Sequence, residues 1–471
     1  MAELVWEGKY RDGQRARAST SGPPRVLHER HGEGASEGLL VAGDRCEALA
    51  SLLPSHAGTV SLVYIDPPYD TGGSFQSTRR LGNDVTLRRK AYDDARGTDG
   101  WLAFMDPTLE LLHALLAPDG VLFAHCDWRS NAYLRVLLDE RFGAGCFRNE
   151  IAWRRAPNLG RQAASRQLGR TLDTIFVYSR TPGAALRGEA PRRSTIVPLD
   201  ARGRPEGARW DPLREAFFTT APRGDYTDAS IARLRAEGRV HDSPSGKVSI
   251  KYFLVRDATG RWCKEQPIDT LWDDAEVRPL RHRPRSEDLG YDTQKPEGLL
   301  ERIVRWATRP GDLVVDCFSG SGTTAAVAAR TARRWIAVDS GEAAVSTTRR
   351  RLVGLDGAAP WDLATVGAHP LRNAGSATLR RGFDGASAFV ELTGFAPDAA
   401  SPALASLATW TDAVDAWFVD DAWDGEVFRA RSVIRRGSDG ALPLRARVRP
   451  GAVVRVRVVD VAGAEADVTV E

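Results

Sequence analysis

A short motif that could bind an amine, Asp66-Pro67-Pro68-Tyr69, directly follows the apolar run at 60–65. The two prolines restrict the backbone and lack N–H donors, so the carbonyl groups of this segment are free to accept hydrogen bonds. The Asp66 carboxylate and the Pro67 carbonyl can each accept one N–H of an exocyclic amine, which directs the nitrogen lone pair towards an electrophile. Tyr69 can stack on the ring that bears this amine. A rigid turn after a buried strand would have the same sequence.

A second loop of interest, FSGSGTT at 318–324, follows the apolar run at 313–317. Its two glycines allow a ligand to approach the backbone closely, and the amides of the next helix, which begins near Thr323, can bind an anionic group. Asp339 ends the following predicted strand, where an acidic residue typically holds a ribose diol. A tight strand-to-helix turn gives the same glycine pattern, and aspartate is common at strand ends. The loop lacks the Gly-x-x-x-x-Gly-Lys-Ser/Thr form of a phosphate-binding P-loop.

The elements that must position these loops alternate between strand and helix. Apolar runs predict strands at 38–42, 60–65, 121–125, 150–153, 173–178, 313–317 and 334–339, and helical periodicity marks most of the intervening segments. This alternation is typical of an open parallel sheet in an α/β protein. We expect the two loops to meet across one crevice of that sheet.

Changes in composition divide the chain into five segments. Residues 1–37 are predicted to be a loosely held polar arm, 38–180 and 291–355 the two halves of the α/β domain, 181–290 an insertion, and 356–471 a β-rich C-terminal domain. Within the first half, 72–100 are polar and are predicted to be a mobile loop.

Composition limits the function classes. The 471 residues include 65 basic and 62 acidic side chains, so net charge gives no reason to expect a nucleic-acid partner. The five cysteines are scattered without a Cys-x-x-Cys pair, which disfavours a zinc site or a disulfide framework and fits a reducing cytosol. Since the sequence has no apolar stretch near the ~20 residues of a membrane helix, we expect a soluble, cytoplasmic protein.

The order of these motifs resembles that of the β-class amino DNA methyltransferases, and within them the adenine-specific modification subunits of type III-like restriction–modification systems. The resemblance extends over roughly 38–355, and parts of the tail (414–417, 423–428 and 458–460) also resemble such enzymes. It rests on the segments 43–44, 66–72, 92–93, 101–105, 116–120, 272–273, 293–296, 310–312 and 318–324.

The resemblance implies a Rossmann-like S-adenosylmethionine-dependent methyltransferase fold. It would be circularly permuted, with an inserted recognition region and a β-rich C-terminal domain. The implied reaction is methyl transfer from S-adenosylmethionine to the N6 amine of an adenine flipped out of a specific duplex DNA site. Asp rather than Ser at position 66 favours adenine over cytosine. Since the donor sulfonium is already activated, no metal is expected.

The family's residue roles carry over by position. Phe318, Gly320 and Gly322 would shape the pocket for the methionine part of the donor, Asp339 would hold its ribose and Asp44 its adenine, and Thr293 and Lys295 would close the pocket. The full implied sets are Asp66, Pro67, Pro68 and Tyr69 for catalysis, and Asp44, Thr293, Lys295, Asp316, Phe318, Gly320, Gly322, Thr323 and Asp339 for the cofactor.

DNA contact is predicted for Arg154, Arg155, Arg161 and Arg166, which precede the insertion and could neutralise phosphates. A solvated surface explains any single one of these arginines equally well. The implied partners are double-stranded DNA and, from the family alone, a second copy of the chain and a restriction-nuclease subunit.

Alternative functions remain at this point. N4 methylation of cytosine uses the same fold, and an inactive DNA-recognition subunit would keep the same architecture. A glutamine or RNA methyltransferase is disfavoured, because those enzymes usually have Asn at the position of Asp66. Two departures from the family pattern are Asp70, where Asn is usual, and His125-Cys126-Asp127 in place of an acidic pair. We interpret His125 and Cys126 as packing residues.

Overall fold

The largest element of the computed structural model is an eleven-stranded sheet. The structure describes residues 2–81, 85–156, 168–279, 287–367, 371, 375–397, 404, 407–437 and 440–471. In chain order the strands of this sheet are β1 (Val26–His31), β2 (Gly38–Ala42), β3 (Val60–Ile65), β4 (Leu116–Cys126), β5 (Phe147–Arg154), β6 (Leu172–Ser179), β7 (Leu271–Trp272), β8 (Leu313–Asp316), β9 (Arg334–Asp339), β10 (Trp361–Thr365) and β11 (Phe428–Ala430). Across the sheet they follow the order β7-β5-β6-β4-β3-β8-β9-β2-β10-β1-β11.

Strands β3 and β8 are neighbours in the parallel part of the sheet, β4-β3-β8-β9-β2-β10. Their register pairs Val314 with Leu62 and Val315 with Val63. From β3 the chain continues to β4 on one side, and from β8 it continues to β9 on the other. The connection order therefore reverses between β3 and β8, which is where open α/β sheets bind ligands. The predicted Rossmann-like fold, in which the strand before Asp66 precedes the glycine loop, is confirmed.

Helices cover the sheet, and every residue of β3 is buried. The helices are α1 (Arg45–His56), α2 (Gly97–Leu115), α3 (Asn131–Phe142), α4 (Asp228–Ala236), α5 (Glu297–Ala307), α6 (Thr323–Arg330), α7 (Glu342–Val353) and α8 (Trp410–Ala413), with short 3₁₀ turns at Ala144–Cys146 and Ala275–Val277. The apolar face of α5 is buried through Leu299, Leu300, Ile303, Val304 and Ala307. No helix in the described ranges is both long and apolar enough to cross a membrane.

Residues 190–269 form a compact unit of their own, inside the segment predicted to be an insertion. All strand pairs within this unit are antiparallel. It contains α4 and the strands Arg192–Ile196, Arg209–Asp211, Ala216–Pro222, Val240–Asp242, Val248–Arg256 and Trp262–Pro267.

The segment 72–100, predicted to be a mobile loop, instead contains a hairpin and the start of α2. The hairpin strands are Gly73–Leu81 and Val85–Asp94, paired antiparallel. In the second strand the buried Leu87 and Ala91 are separated by exposed or half-buried polar residues. This period of two fits a strand with one covered face. This strand has few apolar residues, so the sequence pattern did not predict it.

The N-terminal residues, expected to be a loosely held arm, are held by the central sheet. Strand β1 pairs antiparallel with β10, and Trp6 is buried. The buried Lys9 forms an ion pair with Glu140 of α3, at 2.8 Å. Backbone pairing and buried charges hold this segment, and neither produces an apolar sequence pattern. A further two-residue pair joins Tyr10–Arg11 to Gln14–Arg15.

The C-terminal region is rich in β-structure, as predicted. One antiparallel sheet comprises Ser376–Asp384, Ser387–Ala396 and Arg445–Val448, and another comprises Val414–Asp420, Ser432–Arg435, Val454–Asp460 and Glu465–Val470. Two strands from this region, β10 and β11, belong to the central sheet instead. The predicted boundary near residue 356 therefore does not separate the two sheet systems.

Candidate active site

The loop after β3 is held by three polar contacts, two of which involve the Asp66 carboxylate. The Asp66 side chain is 15% exposed and forms an ion pair with Lys295. The Tyr69 hydroxyl donates a hydrogen bond to the same carboxylate. The indole N–H of Trp101 donates to the Pro68 carbonyl, at 2.6 Å. Among the described residues the Pro67 carbonyl has no hydrogen-bond donor, so it remains available to a ligand.

Asp94, at the end of the hairpin, holds the backbone of this loop. Its carboxylate accepts hydrogen bonds from the backbone N–H of Tyr69 (3.1 Å), Asp70 (2.7 Å) and Thr71 (3.0 Å). Asp94 is 1% exposed, and hydrogen bonds to a buried carboxylate are stronger than neutral ones. The hairpin therefore fixes the position of the loop that carries Asp66.

Asp70, the first departure from the family pattern, has a structural role at the start of α2. Its φ of 59° lies in the left-handed region, which Asp and Asn tolerate better than most residues. One carboxylate oxygen accepts hydrogen bonds from the backbone N–H of Arg96 (2.7 Å) and Gly97 (3.0 Å). An Asn side chain has an oxygen that could accept the same two bonds.

The glycine loop after β8 is held by the carboxylate that ends β9. The Gly320 N–H donates to one oxygen of Asp339 and the Gly341 N–H to the other, both at 2.8 Å. Gly322 has a φ of 74° and caps α6. A Cβ atom there would lie 2.7 Å from Cγ2 of Thr348, so a larger residue meets both strain and a steric clash.

Asp316, the last residue of β8, is buried beneath the glycine loop. Its carboxyl group accepts hydrogen bonds from the Thr324 hydroxyl (2.6 Å) and the Phe318 N–H (2.9 Å). Burial raises the pKa of Asp316 to about 7, although these two hydrogen bonds favour the charged form. This carboxyl group therefore titrates near neutral pH.

Two clefts meet at Asp66. The glycine-side cleft is lined by Asp66, Pro68, Tyr92, Phe104, Thr293, Lys295, Asp316, Phe318, Gly320, Thr323 and Asp339, among others. The tyrosine-side cleft is lined by Asp66, Pro67, Tyr69, Phe75, Tyr92, Arg129, Trp153, Arg155, Thr293 and Lys295, among others. Asp66, Tyr92, Thr293 and Lys295 line both clefts. A ligand in one cleft would thus face a ligand in the other across the Asp66 carboxylate.

The electrostatics of the site keep Asp66 ionised. Burial alone would raise the pKa of Asp66, but the charges of Lys295 and His125 and the hydrogen bonds from Lys295 and Tyr69 outweigh it and lower the pKa. The carboxylate is therefore a hydrogen-bond acceptor at neutral pH.

The fully buried His125 lies behind Asp66 and does more than pack. Its Nδ1 lies 3.0 Å from the Tyr64 hydroxyl and 4.0 Å from the Asp66 carboxylate. Its Nε2 lies 3.4 Å from a carboxylate oxygen of Asp173. Our interpretation of His125 as a packing residue was therefore incomplete. The sequence indicated only that His125 lies at the end of a predicted strand. The structure shows that this strand, β4, is adjacent to β3. Cys126 is buried, as expected of a packing residue.

Most of the predicted cofactor residues line the glycine-side cleft. Gly322 is absent from its wall but turns the chain into α6. Asp44 is also absent from the wall, and it caps α1 by accepting hydrogen bonds from the N–H groups of Cys46 and Glu47. Its side chain is 50% exposed. The pairing of Lys295 with Asp66 was not predicted.

The arginines predicted to contact DNA differ in their exposure and in their partners. Arg154 is exposed, whereas Arg155 lies in the tyrosine-side cleft and pairs with Asp173 at 2.9 Å. Arg161 and Arg166 lie outside the described residues. An aromatic and cationic surface lies at Trp128, which is 41% exposed. The guanidinium of Arg170 is 3.6 Å from the centre of its ring.

Comparison with known proteins agrees with this geometry. The family model described as DNA methylase matches residues 60–350, which is more than half of the chain. The Mod subunit of the type III restriction-modification enzyme StyLTI from Salmonella typhimurium is 29% identical over 342 residues, 64% of this chain and 51% of that protein. The type II methyltransferase M.EcaI from Enterobacter cloacae is 29% identical over 307 residues, 62% of this chain and 64% of that protein.

A third relative is the Mod subunit of the type III restriction-modification enzyme EcoP15I from Escherichia coli. It is 28% identical over 402 residues, 68% of this chain and 61% of that protein. The chain thus spans about half to two-thirds of the length of these curated relatives. The matched region contains β3 and β8, between which the connection order reverses, and the loops that follow these strands. The chain belongs to the DNA methylase family.

Proposed function

We propose that the chain is a site-specific DNA methyltransferase that modifies the N6 amine of adenine in duplex DNA and uses S-adenosylmethionine as donor. The observation that carries the proposal is the position of the ionised Asp66 on the wall shared by two clefts. The glycine-side cleft would hold the donor and the tyrosine-side cleft the flipped base. Family membership and the names of the relatives support this reaction class.

The residues of the glycine-side cleft fit the donor. Asp339 lines this cleft at the end of β9, where a carboxylate suits the hydroxyls of a ribose. The aromatic rings of Phe104 and Phe318, with centres 5.8 Å apart, provide an apolar surface. The carboxyl group of Asp316 suits a cationic ligand. When bound, S-adenosylmethionine would supply an activated methyl group.

The residues of the tyrosine-side cleft would orient the target amine. Asp66 and the Pro67 carbonyl would accept its two N–H groups and direct the nitrogen lone pair at the methyl carbon. The amine nitrogen would take the methyl group as the C–S bond breaks and leaves a neutral thioether, and the methylated amine would then lose a proton to water. Because Lys295 and Tyr69 already contact Asp66, the amine would displace or share one of these contacts. Tyr69 and Trp153 would stack against the base.

The partners belong to the same proposal. Duplex DNA is the substrate, and residues 190–269 would read its sequence. The names of the type III relatives, Mod subunits of restriction-modification enzymes, support a role in such a system with a nuclease subunit as partner. A second copy of the chain is a further candidate partner.

The test is to incubate the protein with unmethylated genomic DNA and tritiated S-adenosylmethionine, followed by digestion and mass spectrometry. N6-methyladenine in one sequence context is the expected product. N4-methylcytosine would replace the adenine assignment with the cytosine alternative. Measurable donor binding without a methylated base in any DNA tested would contradict methyl transfer, and absence of both would favour an inactive recognition subunit.

A further inference from the structure

A further cavity, separate from both clefts, lies where the hairpin, α7 and the C-terminal sheet that contains Val414–Asp420 meet. It has a volume of about 200 Å³ and is partly open to solvent. We call it the arginine cavity because six arginines line it: Arg79, Arg89, Arg349, Arg350, Arg435 and Arg436.

Four of the six arginines have carboxylate partners. Arg79 pairs with Asp415 at 2.5 Å, Arg435 pairs with Asp356 at 2.6 Å, and Arg89 lies 3.6 Å from Glu342. Arg349 is paired with Glu29 and Glu465. The other two arginines, Arg350 and Arg436, form no ion pair with a carboxylate of the described residues.

Arg350 and Arg436 contact only backbone carbonyls among the described residues. Arg350 donates to Leu289 at 3.3 Å, and Arg436 donates to Val414 at 3.1 Å and Gly440 at 2.9 Å. Burial and the charge of Arg79 lower the pKa of Arg350 to about 10, although the charge of Asp415 acts in the opposite direction. A half-buried cation of this kind is stabilised by an anion that enters the cavity.

The rest of the wall is apolar. Leu87 of the hairpin, Val353 of α7, and Phe418, Val459 and Val461 of the C-terminal region line the cavity. Phe418 is 1% exposed and Val461 6%, so these side chains are packed into the wall. The cavity therefore combines guanidinium groups that lack a carboxylate ion pair with an apolar wall.

We propose that the arginine cavity binds a small phosphorylated organic molecule of the nucleotide class. Guanidinium groups pair well with phosphate oxygens, often through two parallel hydrogen bonds. Arg350 and Arg436 would bind the phosphate, and the apolar wall would contact the remainder of the molecule. The arginine cavity and the two clefts share no lining residue, so this ligand differs from the methyl donor and the target base.

The test is calorimetric titration of the full chain with AMP, ATP, adenosine and inorganic phosphate. We expect saturable binding of AMP or ATP, weaker binding of phosphate and none of adenosine. Arg350→Gln and Arg436→Gln should each weaken nucleotide binding about tenfold or more, since each loses charged hydrogen bonds. Arg380→Gln, at an exposed arginine that lies outside the cavity, is the matched control and should bind as the wild type does. Arg350→Lys, which keeps the charge, should retain part of the affinity.

Several results would overturn the proposal. One is the absence of binding by AMP and ATP at millimolar concentration to a protein with a normal thermal transition. Another is nucleotide binding that neither glutamine variant changes, since this would place the nucleotide in another cleft. Loss of duplex DNA affinity in Arg350→Gln without any nucleotide binding would assign the cavity to DNA. Equal affinity for AMP and inorganic phosphate would contradict the contribution of the apolar wall.

Discussion

The ammonium group of Lys295 pairs with the carboxylate of Asp66 although 229 residues separate them in the sequence. Asp66 follows β3 and Lys295 precedes α5, and their contact lies on the wall that the two clefts share. The pair keeps the carboxylate charged and also occupies one of the oxygens that the target amine would use. It therefore links the acceptor strength of Asp66 to the binding of the substrate.

Replacement of Lys295 by methionine should shift the pH dependence of methyl transfer. Lys295 lowers the pKa of Asp66 against the effect of burial, so its removal should raise that pKa. The acidic limb of kcat/KM against pH should then move to higher pH, whereas Lys295→Arg should keep it near the wild-type position. An acidic limb that Lys295→Met leaves in place would show that Lys295 does not control Asp66.

Asp94 and Asp70 should respond differently to replacement by asparagine. Both carboxylate oxygens of Asp94 accept backbone hydrogen bonds, whereas only one oxygen of Asp70 does. Asp94→Asn must lose at least one bond, and we expect kcat to fall about tenfold, because loss of a hydrogen bond to a charged group costs ~1.5–3 kcal/mol. Asp70→Asn should remain close to wild type. Steady-state assays of both variants test this, and equal losses would contradict it.

Alanine at Gly322 should destabilise the fold more than alanine at Gly311. Both glycines have positive φ, at 74° and 85°, so both variants carry the backbone strain of ~1–2 kcal/mol. Only at Gly322 does a Cβ also meet Thr348, which adds ~1–3 kcal/mol of overpacking. Urea unfolding should therefore give the larger loss for Gly322→Ala. If both variants lose the same stability, the contact with Thr348 has no energetic effect.

Asp316 should make the stability of the ligand-free protein fall as pH rises from about 4 to 7. Burial raises its pKa from 3.8 to about 7, so in this window the folded state binds more protons than the unfolded state. Such a difference lowers the free energy of unfolding by up to ~1.4 kcal/mol per pH unit. Asp316→Asn removes the titrating group. We therefore expect its unfolding free energy to be less sensitive to pH than that of the wild type in this window.

Urea denaturation of the wild type and of Asp316→Asn at about pH 4.5, 5.5, 6.5 and 7.5 tests this prediction. The free energy of unfolding of the wild type, minus that of Asp316→Asn, should decrease steadily as pH rises. A constant difference across the series would show that Asp316 is not protonated in the folded state near pH 6.

The sequence was sufficient to predict the two loops and seven strands of the central sheet, but not β1, β7, β10 and β11 or the antiparallel pairing of β6 with β4 and β5. Buried strands such as Val60–Ile65 are continuous apolar runs, and the motifs after β3 and β8 have distinctive residues. The hairpin Gly73–Asp94 was missed because its covered face has few apolar side chains, and β1 because backbone pairing and ion pairs hold it.

The side-chain contacts within the site were less predictable. The sequence indicated that Lys295 belongs near the donor pocket, but its pairing with Asp66 depends on how α5 packs beside β3. His125 stands beside Asp66 because β3 and β4 are adjacent, with Ile65 paired to Ala124. Such contacts join residues far apart in the chain, so local sequence patterns do not predict them.

The central claim is that Asp66 acts on the target amine and not on the donor. Its most direct test compares Asp66→Ala with Asp99→Ala, an exposed aspartate of α2, in single-turnover methyl transfer and in calorimetric binding of S-adenosylmethionine. We predict that Asp66→Ala lowers the rate about a hundredfold or more with little change in donor affinity, whereas Asp99→Ala changes neither. A rate within about threefold of wild type for Asp66→Ala, or an equal loss of rate and donor affinity, would contradict the account.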